Sequence, residues 1–139
     1  MSCDLDKIDT FLQEHHVLSL ATCSQSELSS CNLFYVYDKD TNSFIVASSE
    51  DTNHIQHILQ NSLVAGTVVL ETKTIGKIQG VQFKGEFVGL EESSLKKLYF
   101  KTFPYALAMN PKLWQIKINY FKMTDNRLGF GKKIIWQDV

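Results

Sequence analysis

The run Ile78–Leu90 constrains the fold of this 139-residue chain more than any other stretch. Val81, Phe83 and Phe87 alternate with Gln82, Lys84 and Glu86. A period of two puts successive side chains on opposite faces of a strand. One face is therefore apolar, and the polar one meets water or a partner, as in an antiparallel sheet. Gly85 and Gly89 fall on the apolar side, which predicts a bulge or bend of the kind barrel corners need.

The rest of the chain supplies partners for that strand. Leu5, Ile8, Phe11, Leu12 and His15 follow helical spacing, so an amphipathic helix is expected over 4–16 with Asp4 as its N-cap. Val17–Cys23, Asn32–Tyr37 and Ser43–Ser48 read as a meander of strands, separated by polar turns at Gln25–Ser29 and Asp38–Asn42. Asp51–Asn61 carries Ile55, Ile58 and Leu59 on one helical face, and Ser62–Glu71 is an apolar strand. A helix over 93–103 is stopped by Pro104, and Asn110–Pro111 reads as another helix start. Trp114, Ile116, Ile118 and Tyr120 alternate along a long strand, a turn follows at Asp125–Gly131, and Ile134–Trp136 form a last short strand. The expected fold is mainly β with short helices, a six- or seven-stranded antiparallel barrel, since closure removes vulnerable edges. No repeat or linker divides it, so residues 1–139 read as one domain.

The formal net charge of −1 and the lack of a Lys/Arg run give no sign of a nucleic-acid surface. No stretch approaches the ~20 apolar residues that span a bilayer. Met1–Lys7 is charged and leads into no apolar run, as a secretory signal would. Cys3, Cys23 and Cys31 are odd in number and lack CxxC spacing. Reduced thiols in a cytoplasmic protein are the expectation.

Candidate chemistry is sparse. His54 and His57 stand three apart on a helix and could share a metal, but no HExxH motif or Cys partner accompanies them, and solvent-facing positions are expected. His15 and His16 are adjacent and cannot share a helix face. Cys23 and Cys31 lie in apolar strand sequence, where Cys acts as a small hydrophobe. Gly129-Phe-Gly-Lys-Lys133 lacks the spacing of a phosphate loop and reads as a hairpin turn. Ser48-Ser49-Glu50-Asp51-Thr52-Asn53-His54 joins a strand end to a helix start, where free N–H groups can receive an anion. Ordinary N-capping explains the same residues, and Glu50 and Asp51 oppose a bare anion hole.

Five segments together resemble one family. They are Asn32-Leu33-Phe34-Tyr35, Ser48–His54, Val64–Val68, Gly80-Val-Gln-Phe-Lys-Gly-Glu86 and Thr124–Trp136. The arrangement resembles the FMN-binding split β-barrel of the pyridoxamine 5′-phosphate oxidase-like superfamily, and most closely its YhbP-like branch. The resemblance implies a homodimer with FMN at the subunit interface and a flavin-dependent oxidoreductase acting on a small molecule. It implies that Asn32, Leu33 and Phe34 run beside the ring, that Ser48, Ser49, Thr52, Asn53 and His54 hold the phosphate, and that Gln82 and Lys84 add polar contacts. It further implies that Lys132 or Lys133 reaches the FMN of the neighbouring subunit, or an anionic substrate beside it. Asn53-His54 stands where the oxidases carry Arg-Lys, and the chain ends three residues after Trp136. Both departures argue against pyridoxamine phosphate as substrate. The alternative is a non-catalytic module that holds flavin, haem or another planar ligand on the same barrel.

Overall fold

The computed structural model describes residues 2–129 and 132–138. Seven strands follow in chain order: β1 (Val17–Ser24), β2 (Glu27–Asp38), β3 (Ser43–Ala47), β4 (Leu63–Val69), β5 (Gln79–Gly89), β6 (Leu113–Asp125) and β7 (Lys133–Gln137). Four helices accompany them: α1 (Ser2–Glu14), α2 (Asn53–Gln60), α3 (Ser93–Thr102) and α4 (Pro104–Met109). The sheet order is β3-β2-β1-β4-β5-β6-β7, and β3 also pairs with β6. That last pairing closes β1–β6 into a six-stranded antiparallel barrel, and β7 extends the far half of β6. Mainly antiparallel β structure with short helices is thus what the alternation implied.

The barrel interior is solid with aromatic rings. Phe44, fully buried, lies 4.8 Å from the Tyr35 and Phe83 ring centroids, 5.4 Å from Tyr37 and 6.4 Å from Phe121. Burying one such side chain contributes roughly 1.5–3 kcal/mol. Helices close the two ends. α1 lays Ile8, Phe11 and Leu12 into the core and is tied down where Tyr35 donates its hydroxyl to the Leu12 carbonyl at 2.7 Å. α2 covers the other end with Ile55 and Ile58, beside the β1–β2 hairpin. A second, smaller cluster lies outside the barrel, where Leu95 and Tyr99 of α3 cover Val36, Ile45 and Leu113. Among the described residues, no helix is long and apolar enough to cross a membrane.

Local chemistry corrects several expectations. Helix α1 begins at Ser2, so Asp4 sits in its first turn and is not its N-cap. The β1–β2 connection is only Gln25–Ser26, with φ values of 49° and 68°. Two consecutive left-handed residues make the type I′ turn that suits a twisted hairpin, here without Gly or Asn to announce it. Leu59 faces outward, because α2 is a single short layer with only Ile55 and Ile58 reaching the core. Asn110–Pro111 is not a helix start. Asn110 ends α4 in a left-handed conformation (φ 47°), and Pro104 begins that helix. Phe130 and Gly131 of the tail motif lie outside the described residues.

The expected bulge is present: the β5–β6 register shifts between Lys84 and Gly85. A Cβ at Gly85 would lie 2.3 Å from the Lys117 carbonyl oxygen, whereas Gly89 has open space around it. Only Gly85 is therefore required by the bend. Gly85→Ala should cost about 1–3 kcal/mol through overpacking against backbone. Thermal unfolding of the variant is expected several degrees below the parent. An unchanged midpoint would show that the strands can separate freely there.

Candidate functional site

The solid interior leaves the outer sheet face as the place for a ligand. Strand register aligns small polar residues across that face. Asn32 of β2 is opposite Ser19 of β1, Ser19 opposite Thr67 of β4, and Thr67 opposite Gln82 of β5. Ser19 donates its hydroxyl to Asn32 Oδ1 at 2.8 Å. The next outward row is Ser30, Ala21, Ala65 and Lys84. Small side chains at Ala21 and Ala65 leave a cleft of about 470 Å³, walled by Leu28, Leu63, Lys84 and Asn119. The Lys84 ammonium lies 4.9 Å over the Tyr120 ring. Apolar side chains border this polar strip and are left in water: Leu28 is 83% exposed, Leu63 64% and Phe34 57%.

The strand end at Ser48 forms the second part. The Ser48 N–H donates to the Lys112 carbonyl at 3.1 Å, and Trp114 Nε1–H donates to the Ser48 carbonyl at 2.9 Å. The Ser48 hydroxyl lies 2.5 Å from His54 Nε2. Thr52 is the N-cap of α2, yet its hydroxyl donates back to the Ser49 carbonyl at 2.8 Å. The first intrahelical bond runs from Gln56 N–H to the Thr52 carbonyl, so the preceding N–H groups have no partner within the helix. Ser48, Ser49 and Glu50 also line a cleft of about 580 Å³ against Tyr99 and Met109. Asn53 reaches the neighbouring strand: its amide donates to Ser29 Oγ of β2 at 3.4 Å, on the side of that strand opposite Asn32.

The sequence-derived residues thus divide into groups. Ser48, Ser49, Thr52, Asn53 and His54 gather where β3 leads into α2, and Asn32 lies on the outer face of the neighbouring strand β2. Gln82 and Lys84 sit three strands away on the same face, about 14 Å at ordinary strand spacing. Phe34 points outward, where His16 lies parallel to it at 5.9 Å. Leu33 packs its side chain against the core, so only its backbone borders the face. Lys133 pairs opposite Thr124, eleven residues along β6 from Leu113, which pairs with Ala47. At about 3.3 Å per residue, Lys132 and Lys133 are far from Ser48 within one chain. Arg127, a third cation of the tail segment, is committed elsewhere: its guanidinium bonds both oxygens of buried Asp125 and the Gln79 side chain. Those bonds hold the Asp125 carboxyl below its ordinary value.

His54 and His57 are buried, not solvent-facing. α2 turns them toward the barrel, where the His57 ring bonds Thr22 Oγ1 at 3.0 Å and the His54 ring bonds Ser48. The Thr22 partner has no local sign in the sequence, because it lies on β1, whereas Ser48 stands six residues before His54 at the strand–helix junction. Burial holds the His54 imidazole below its ordinary value of 6.5. It also pushes the Cys31 thiol up, away from thiolate chemistry.

A family model described as pyridoxamine 5′-phosphate oxidase matches residues 5–123. The chain belongs to that family. It is 43% identical over 136 residues to a UPF0306 protein of Klebsiella pneumoniae, covering 96% of this chain and 92% of that one. It is 42% identical over 135 residues to the UPF0306 protein YhbP of Escherichia fergusonii, covering 95% and 92%. Among solved structures, HutZ, the haem storage protein from Vibrio cholerae, superposes with a TM-score of 0.69 at 16% identity, over 81% of this chain and 88% of that one. An FAD-binding protein from Mesorhizobium loti gives 0.70 at 15% identity, over 84% and 91%. At such identities these two likenesses concern the fold, and they show that one barrel accommodates both flavin- and haem-binding proteins.

The depressed His54 value makes a stability prediction. Between the folded value and 6.5 the unfolded chain binds more protons, so stability rises with pH there and falls on acidification. Urea unfolding of the ligand-free protein should show a lower midpoint near about pH 5 than near about pH 7.5. His54→Gln should flatten that difference. An unaltered pH profile in the variant would remove His54 as its source.

Proposed function

We propose that this chain is an FMN-binding flavoprotein that works as a homodimer, with the flavin along the outer sheet face and its phosphate at the Ser48–His54 corner. The observation that carries this reading is the join between two surfaces of different character. A polar strip with apolar borders suits a planar, hydrogen-bonding ring, and the adjoining helix start with hydroxyls and an amide suits a phosphate. Membership of the pyridoxamine 5′-phosphate oxidase family supports it. Bound flavin supplies hydride and electron transfer, which fits an oxidoreductase acting on a small molecule. The chain's own residues bind and orient: Asn32 and Gln82 offer amides along the ring, the Asn53 amide and the first N–H groups of α2 offer donors to the phosphate beside Thr52, and Phe34 offers an apolar edge.

The rival is a haem-holding module. His16 is the exposed imidazole of this face and stacks on Phe34, whereas His54 and His57 are buried against hydroxyls. The absorption spectrum of the purified protein, as isolated and after incubation with FMN or haemin, separates the readings. Flavin bands are expected, and a Soret band with no flavin affinity would overturn the proposal. Thr52→Glu should abolish FMN binding by setting a carboxylate against the phosphate. Binding as tight as the parent's would move the site elsewhere.

The homodimer follows from the same face. Leu28, Phe34, Leu63, Val69 and Ile135 leave a broad apolar surface in water, of the kind that marks an interaction site. A partner covering it brings a second β7 edge, and with it Lys132 and Lys133, toward the flavin of its neighbour. A stable interface buries more than ~1,000 Å². Sedimentation at micromolar concentration should show a dimer, and Leu63→Glu should dissociate it. A wild-type monomer at that concentration would rule the dimer out.

A further inference from the structure

The corner that receives a phosphate in the reading above has a peculiar electrostatic make-up. Its ammonium, Lys112, is already paired with Glu50 at 3.1 Å and lies 4.6 Å over the Trp114 ring. Glu50 and Asp51 are exposed acids on the same loop. A titratable imidazole sits among the donors instead. His54 is 8% exposed, and its Nε2 lies 2.5 Å from Ser48 Oγ and 3.4 Å from Thr52 Oγ1.

One nitrogen thus governs how the Ser48 hydroxyl is presented. When Nε2 is bare, the hydroxyl donates inward to it and shows only lone pairs to the cleft, which repel a phosphate oxygen. When Nε2 carries a proton, the imidazole donates to Ser48 Oγ, and the hydroxyl hydrogen is released toward the anion. We propose that His54 takes up one proton from solvent as the FMN phosphate docks, and that it then serves as the cation of the site, acting through the Ser48 hydroxyl. The inference rests on the flavin reading and adds a residue that tells FMN from riboflavin.

Burial keeps the ligand-free ring uncharged at neutral pH. A dianion alongside favours the charged form and reverses that bias. The other groups around His54 do not supply a lasting cation. On α2, His57 is bonded to Thr22 Oγ1. On the loop, Glu50 and Lys112 cancel, leaving Asp51. β1 and β2 contribute the uncharged Thr22, Ser24 and Ser29 at this end of the barrel. A proton acquired on binding reverses the Ser48–His54 hydrogen bond and disturbs no ion pair, and it is returned to solvent when FMN leaves. His54 is a positioning residue in this scheme, since Ser48 makes the contact.

The test follows the His54 ring by NMR in the full chain, free, with FMN and with riboflavin. FMN should raise its titration midpoint by about one pH unit or more, and riboflavin should leave it in place. Calorimetry of FMN binding in buffers of different ionisation heat should report net proton uptake near neutral pH. His54→Gln, with folding checked by its unfolding midpoint, should weaken FMN binding by at least about tenfold and abolish the uptake. FMN binding to the wild type with no movement of the His54 midpoint and no proton uptake would overturn this inference and leave the flavin reading standing. Failure of the wild type to bind FMN at any pH would overturn both. The measurements on the wild type decide the matter even if the variant does not fold.

Discussion

Pairing of β3 with β6 is the contact on which the rest of the molecule depends. Five residues of β3, Ser43–Ala47, lie between β2 and β6, four of them buried and Ala47 half-buried. Without that ladder the chain would be an open, strongly twisted sheet with edges to protect. With it, β6 becomes the shared strand of the fold, pairing β3 and β5 along its first half and β5 and β7 along its second. Closure also reaches one residue past the ladder. The Ser48 N–H and carbonyl are both taken by the Lys112–Trp114 segment. The corner at which the candidate site begins is thus held by the same seam that closes the barrel.

A filled interior pushes function outward. Phe44 has aromatic neighbours on several sides, and among the described residues every buried side-chain nitrogen or oxygen has a hydrogen-bond partner. Even the acidic member of the core is satisfied: Tyr37 donates to Asp9 at 2.8 Å. Burial nevertheless raises the Asp9 carboxyl above its ordinary value, more than that hydrogen bond lowers it. Such a barrel has no vacancy for a planar ligand. The groups left to recognise one are those the pleat turns to the outside, where Ser19, Asn32, Thr67 and Gln82 fall in register.

The alternation in Ile78–Leu90 was enough to read an antiparallel, half-buried strand, and Gly85 was enough to read its bulge. Both are local signals of period and backbone freedom. The helix start at Ser48–His54 was legible for the same reason, since hydroxyls and an amide at a strand–helix junction have local meaning. What escaped depends on distant partners. His57 looks solvent-facing in sequence because nothing near it indicates that Thr22 waits on β1, and His54 because a strand–helix junction alone does not show its ring folding back on Ser48. Arg127 looks like one of three tail cations until Asp125 and Gln79 claim it. Asn110–Pro111 has the composition of a helix start, but α4, too short for periodicity to reveal, ends there. The outer polar row was hidden because each strand contributes only one member, and only register assembles them.

The outer face leaves apolar and polar groups side by side in water. It carries exposed Leu28, Phe34, Leu63 and Val69 beside polar groups spread over several strands. At its strand-end corner the Lys112 ammonium, on the segment before β6, is already neutralised by Glu50. A pair of fixed cations at this corner would repel each other and lose hydration whenever no anion was present. A buried neutral imidazole avoids that cost in the ligand-free state, and within the chain Lys132 and Lys133 lie at the opposite end of β6. On the flavin reading, cofactor and partner bind the same face and each supplies what the other lacks. Ligand that binds only the assembled form stabilises assembly by mass action, and assembly in turn tightens the ligand. A flat, half-apolar sheet face is then not a defect of the barrel. It is where two separate binding free energies become one.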